Sequence, residues 1–227
     1  MRLSSLFLAT SLAVSQFAGA AETAQPATQE HVMNHAINAD NPFLKPSPLE
    51  YQAPQFNLYK DSDYEPAILE GIRQKLAEVD KIASDSAPPT FENTYVALEK
   101  SGVMLQRVLN VFGAMTGANT NDTLQKIDED TSPELAAMDD SIHLNSKLFA
   151  RLKAVYDQRD SLKLSPESQR LIDVTFKDFE LAGANLSDAD KDKLKALNQQ
   201  AATLSTQFTN KLLAATKAGG LTVKDKA

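Results

Sequence analysis

Between Ser187 and the Gly219-Gly220 pair, apolar residues recur every three or four positions: Leu194, Leu197, Ala201, Leu204, Phe208 and Leu212. That spacing places them on one stripe of an α-helix. Ser187 followed by Asp190 has the form of a capping box, acidic residues occupy the positive end of the helix dipole, and the glycine pair ends the run. A helix of about thirty residues is roughly 45 Å long and cannot bury its stripe on itself. It needs other helices, and the pattern predicts a packed seam against partners inside the same domain.

Those partners are legible upstream. From about Ser62, residues Ile68, Ile72, Leu76, Val79 and Ala83 step along one helical face, with Pro66 expected in the first turn. Pro88-Pro89 ends that element and Thr90 can cap the next, whose apolar face holds Leu98, Leu105, Val108, Leu109, Phe112 and Met115 and is interrupted by Gly102. Gly117 and Asn119 supply its stop. Asn121 or Asp122 caps a third helix with Leu124 and Ile127, and Ser132-Pro133 predicts a kink or break before Leu135, Met138, Ile142 and Leu144. Asn145 starts a short helix with Leu148, Phe149, Leu152 and Val155 inward. Ser165-Pro166 caps another, with Leu171, Ile172, Val174, Phe176 and Phe179 as its core and an end near Gly183. The fold class is all-α, with a multi-helix domain over residues 61–220.

The N-terminal residues follow a different rule. Arg2, an apolar run over residues 3–17 and the small-x-small sequence Ala18-Gly19-Ala20 form a secretory signal, with cleavage expected between Ala20 and Ala21. The run falls short of the roughly 20 apolar residues that span a bilayer, so no membrane anchor is expected after cleavage. Residues 21–40 lack apolar periodicity and read as a flexible tether. Residues 41–60 contain Pro42, Pro46, Pro48 and Pro54, which favour an extended segment offering Phe43, Leu44, Tyr51, Phe56 and Leu58 for packing. Residues 221–227 alternate like the start of a further element, cut short. The chain is expected to be exported to the periplasm. It has no Cys, so neither a disulfide nor a lipoprotein anchor is available to it.

At 227 residues, 42% hydrophobic and 23% charged, the chain can bury a real core. Its formal charge is −7, and losing Arg2 with the signal makes the balance more acidic. An acidic surface repels a phosphate backbone, which excludes nucleic acid as the expected partner.

Chemistry is scarce. His31 and His35 stand four apart, as zinc-binding histidines on a helix do, but Val32 replaces the carboxylate that would serve as general base, and the run lies in the tether. His143 is a lone helical histidine, expected at the surface or hydrogen-bonded. Asp128-Glu129-Asp130 and Asp139-Asp140 are adjacent carboxylates that diverge around a helix and read as solvated faces. There is no nucleophile elbow, and Gly219-Gly220 follows a helix where a phosphate cradle precedes one. No catalytic, cofactor-binding or metal-binding residue is expected in this chain.

Four segments, AMTGANTND, LNSKLFARL, LAGANLS and KLKALNQQAATLSTQF, together with the NPFL that opens the proline-containing stretch, carry a resemblance. From about Asn41 onward the chain resembles the N-terminal portion of the peptidyl-dipeptidase branch of the thimet oligopeptidase family of zinc metallopeptidases. The resemblance implies two helical halves flanking a deep channel, with these helices in one wall and the zinc helix in the other. It implies oligopeptide substrates that lose C-terminal dipeptides to a zinc-bound water activated by the Glu of a His-Glu-x-x-His motif. That motif is absent from these 227 residues, so zinc is expected in the full-length enzyme and the present chain is expected to be inactive alone. The alternative is a free-standing periplasmic helical module that binds peptides or oligomerises through its long seam.

Overall fold

A computed structural model describes residues 37–219. The signal segment with Ala20 and Ala21, His31, His35, most of the tether and residues 220–227 lie outside the described residues. Six helices follow one another: α1 (Asp61–Ala83), α2 (Val103–Ala118), α3 (Asp122–His143), α4 (Ser146–Tyr156), α5 (Pro166–Leu181) and α6 (Asp188–Ala218). A π-helical turn, Phe91–Val96, and a short helical turn, Ala97–Glu99, connect α1 to α2. No strand occurs among the described residues, and the fold is all-α.

The caps sit where the sequence places them. The Thr90 side chain accepts from the Asn93 amide, Asn121 from Leu124, Asn145 from Lys147 and Leu148, Ser165 from Ser168, and Ser187 from Asp190. Each satisfies amides that a helix start leaves without partners.

Two prolines behave differently from expectation. Because α1 starts at Asp61, Pro66 falls in its second turn, and the Ser62 carbonyl, on an exposed residue, is left for water. Pro133 does not divide its helix: α3 runs from Asp122 to His143 as one element. It is flanked by α1, which packs on it through Leu124 and Ile127, and by α6, and neighbours on two sides hold the axis across the missing hydrogen bond.

The core lies between α1, α2, the inner face of α3, α4 and α5. Tyr64, Ile68, Val108, Leu124, Leu148, Leu152 and Ile172 are all essentially inaccessible to solvent. Gly71 permits the α1–α2 crossing, since a Cβ there would stand 2.9 Å from the Leu105 Cα. Gly102 has φ of 75° and a Cβ there would meet Lys75 Cδ at 2.6 Å, so the left-handed turn into α2 depends on glycine. The Tyr95 hydroxyl donates to the Leu152 carbonyl at 3.0 Å, and Arg151 donates to the carbonyls of Asp85 and Ala87 at 2.7 and 3.0 Å. Together they tie the 84–96 connection to α4.

The proline-containing segment is only partly extended. It carries 3-10 turns at Pro42–Leu44 and Glu50–Gln52, and of the five residues expected to pack, Phe43 and Leu44 join the core while Tyr51, Phe56 and Leu58 are exposed. The α2 helix continues through Gly117 and stops at Asn119.

The largest departure is α6. Beyond the part-buried Leu194, the predicted seam does not face the domain: Leu197, Leu204, Phe208 and Leu212 are all more than half exposed. The face turned to α3 is instead polar and small. Asn198 donates to Asp140 at 2.6 Å, Thr206 to Ser132 at 3.0 Å and Asn210 to Glu129 at 2.8 Å, while Lys191, the buried residue of α6, reaches Ser146 of α4 at 2.8 Å.

Candidate functional site

A cavity of about 470 Å³ opens where α1, the turn before α2, the first half of α2, α3 and α5 meet. Its apolar floor includes Leu105, Met138 and Phe179, and its charged rim is formed by Lys75, Glu99, Asp139, His143 and Asp178. His143 is reached because α3 runs on through Pro133 for its full length and ends there. Its Nδ1 lies 3.2 Å from the Asp139 carboxylate, one turn back, and its ring stands 4.7 Å from that of Phe179. The bond with Asp139 raises the His143 pKa against the opposing effect of burial, and the same bond lowers that of Asp139. The pair is thus an ion pair over an acid-to-neutral range, with Lys75 as a neighbouring cation.

This arrangement can hold polar and charged groups of a ligand, but His143 and Asp139 are spent on one another. No nucleophile lies between them, and no group of three or more His, Cys, Asp or Glu side chains able to hold a metal occurs among the described residues. The donor set here does not fit a zinc ion, and no catalytic step is derived through one.

The other carboxylates noted in the sequence divide. Asp130 and Asp139 are exposed, as a solvated face requires. Asp140 is buried, with only 6% of its surface accessible, and burial raises its pKa. Burial likewise raises that of Asp128. Asp140 lies against α6, whose Asn198 donates to it, whereas Asp128 is half-buried. Gly219 caps α6 and contributes to no phosphate cradle. The cleft members Lys75, Glu99 and Asp178 come from three elements, and nothing in local spacing announces them. The Asp139–His143 pair did carry a signal, since four residues apart on a helix is contact distance.

The second feature is the outward stripe of α6; Leu181 at the end of α5 and Leu186 just before α6 are exposed as well. No described helix is long and apolar enough to cross a membrane.

No family model matches the chain. Individual proteins do. A dipeptidyl carboxypeptidase of Salmonella typhimurium is 55% identical over 185 residues, 82% of this chain and 27% of that protein. A dipeptidyl carboxypeptidase of Escherichia coli is 53% identical over 187 residues, with 82% and 28% covered. Oligopeptidase A of Escherichia coli is 22% identical over 187 residues, with 82% and 27% covered. The chain thus spans about a quarter of the length of the curated relatives it matches.

Proposed function

From a chain that belongs to the thimet oligopeptidase family, we propose that residues 41–219 form the N-terminal helical wall of an exported peptidyl-dipeptidase, shaping the channel in which oligopeptides lose C-terminal dipeptides. The observation that carries this is the 55% identity with a dipeptidyl carboxypeptidase along 82% of the chain.

In this reading the wall contributes form and charge, and hydrolysis belongs to residues that these 227 do not include. Neither the sequence nor the described side chains provide a His-Glu-x-x-His helix. The zinc that the family implies would therefore be held elsewhere in a full-length enzyme. The polar cleft at Lys75, Asp139 and His143 faces outward and suits the amides and charged side chains of a peptide. The apolar stripe of α6 supports the same reading, because exposed apolar area on this scale marks a surface that packs on further protein. Export rests on the leader at residues 1–20, with release to the periplasm after Ala20.

A direct test incubates the purified 227-residue chain with zinc and a synthetic oligopeptide and follows release of the C-terminal dipeptide by mass spectrometry. The expected result is none. Turnover above the buffer blank would overturn the assignment of chemistry to residues outside this chain. The exposed stripe also favours one alternative, a module that oligomerises through α6; sedimentation of the chain at several concentrations separates the two, since a discrete dimer or trimer supports the alternative.

A further inference from the structure

Two ions are enclosed where α6 meets the rest of the domain, and neither forms an ion pair among the described residues. Lys191 of α6 is buried and its Nζ reaches the Ser146 hydroxyl of α4 at 2.8 Å. Asp140 of α3 is buried with Oδ1 held by Asn198 of α6 at 2.6 Å and Oδ2 shut away without a donor. An enclosed carboxylate short of donors is costly when charged and much less so when neutral. Asp140 loses that cost in one of two ways: it takes up a proton, or α6 moves off and admits water.

The fold permits the second. Helix α6 is joined to α5 by residues 182–187, where Gly183 takes a left-handed φ of 97° and Ala184 is buried. Leu194 packs on that turn, since a Cβ at Gly183 would stand 3.0 Å from its Cδ2. The base of α6 is thus fixed around Gly183, Lys191 and Leu194. No residue of α6 beyond Lys191 is buried, and the long remainder is held to α3 through side-chain hydrogen bonds of Asn198, Thr206 and Asn210. Its other side is the exposed stripe, so no described residue holds it from outside.

The charges around Asp140 do not make up for its enclosure. Burial raises its pKa and Asp139 on α3 adds to the effect, outweighing the Asn198 bond, the exposed Lys195 on α6 and His143 on α3. Lys75 of α1 and Asp178 of α5 stand on the cleft side of α3 with Asp139 and His143. A group that binds its proton more tightly when enclosed draws the enclosed state forward as protons are supplied, so the docked fraction of α6 rises as pH falls from neutral toward the ordinary carboxylate range.

We propose that α6 is a lever that tilts away from α3 about its base near Gly183 and Lys191, and that acid latches it down by protonating Asp140 at the α3–α6 contact. The latch lies on the side of α6 opposite the apolar stripe and does not depend on the peptidase reading.

The test uses the full 227-residue chain, which has no Cys, so a single introduced thiol is the only one to be labelled. Ala202→Cys places it between Asn198 and Thr206 on the side turned to α3, and Ser205→Cys places it on the exposed side of the same helix. The ratio of their maleimide-labelling rates cancels the effect of pH on the thiol and reports how often α6 lifts. That ratio is expected to fall by at least about threefold from about pH 8 to about pH 5. Asp140→Asn is expected to flatten the profile, and Asp140→Ser serves if the first variant fails to fold. His143→Gln, which removes a neighbour that titrates in the same range, is expected to leave the fall in place. A ratio that does not change with pH in the parent chain, a fall that persists without Asp140, or one that disappears with His143→Gln overturns the proposal.

Discussion

Helices α4 and α6 are attached to the same domain by opposite means. The shorter, α4, has eleven residues and buries Leu148, Leu152 and Val155 completely. The longer, α6, has 31 residues and buries Lys191. Its contact with α3 is a row of side-chain hydrogen bonds, and each is worth about 1 kcal/mol net because water competes for the same groups. Burying a single leucine contributes about 2 kcal/mol or more. Helix length is therefore no guide to how firmly an element is held: the side of the stripe that meets the domain decides it.

Substitution should show this contrast first. Leu152→Ala removes a fully buried side chain and is expected to cost about 3 kcal/mol, whereas Leu204→Ala on the α6 stripe should cost less than about 0.5 kcal/mol in this chain, both by chemical denaturation. Equal losses would break the comparison. Hydrogen exchange sharpens it at the level of whole elements: α6 amides should open at a free energy about 2 kcal/mol below that of α4 amides.

The polar zipper has a weak tooth in Asp140, whose Oδ2 is buried with no donor while Oδ1 accepts from Asn198. Burial raises its folded pKa, so the penalty for ionising it is absent below about pH 4 and grows as pH rises through the folded value. Asp140→Asn should therefore stabilise the chain by on the order of 1 kcal/mol at neutral pH and by nothing near pH 3, as melting curves at both pH values would reveal.

The smallest effect belongs to the Asp139–His143 pair, which is partly exposed and screened. The raised His143 pKa gives stability that is full below about pH 6.5 and lost as pH rises through the folded value. The lowered Asp139 pKa gives stability present above about pH 4 and lost as pH falls through its folded value. His143→Gln should thus reduce stability slightly between those limits and leave it unchanged at pH 9; a deficit that persists undiminished there would show that stacking on Phe179, not charge, is what the ring contributes.

Much of this was visible before any coordinate. Caps are local, so Thr90, Asn145, Ser165 and Ser187 could each be assigned from their neighbours, and the third helix's cap narrowed to Asn121 or Asp122, of which Asn121 holds it. The apolar faces of α1, α2 and α4 also pack as their periodicity indicates. The cleft was not visible, because Lys75, Glu99 and Asp178 are distant in sequence and meet only through packing.

The α6 stripe marks the boundary between the two kinds of information. Spacing every three and four residues determines that Leu197, Leu204 and Phe208 share a helix face, since that follows from 3.6 residues per turn. It does not determine what the face meets. In this structure the fit of Asn198, Thr206 and Asn210 to the carboxylates and hydroxyls of α3 turns the polar side inward. Helical periodicity is a property of the backbone and is written locally, whereas the direction a stripe faces depends on which surfaces the rest of the fold brings against it.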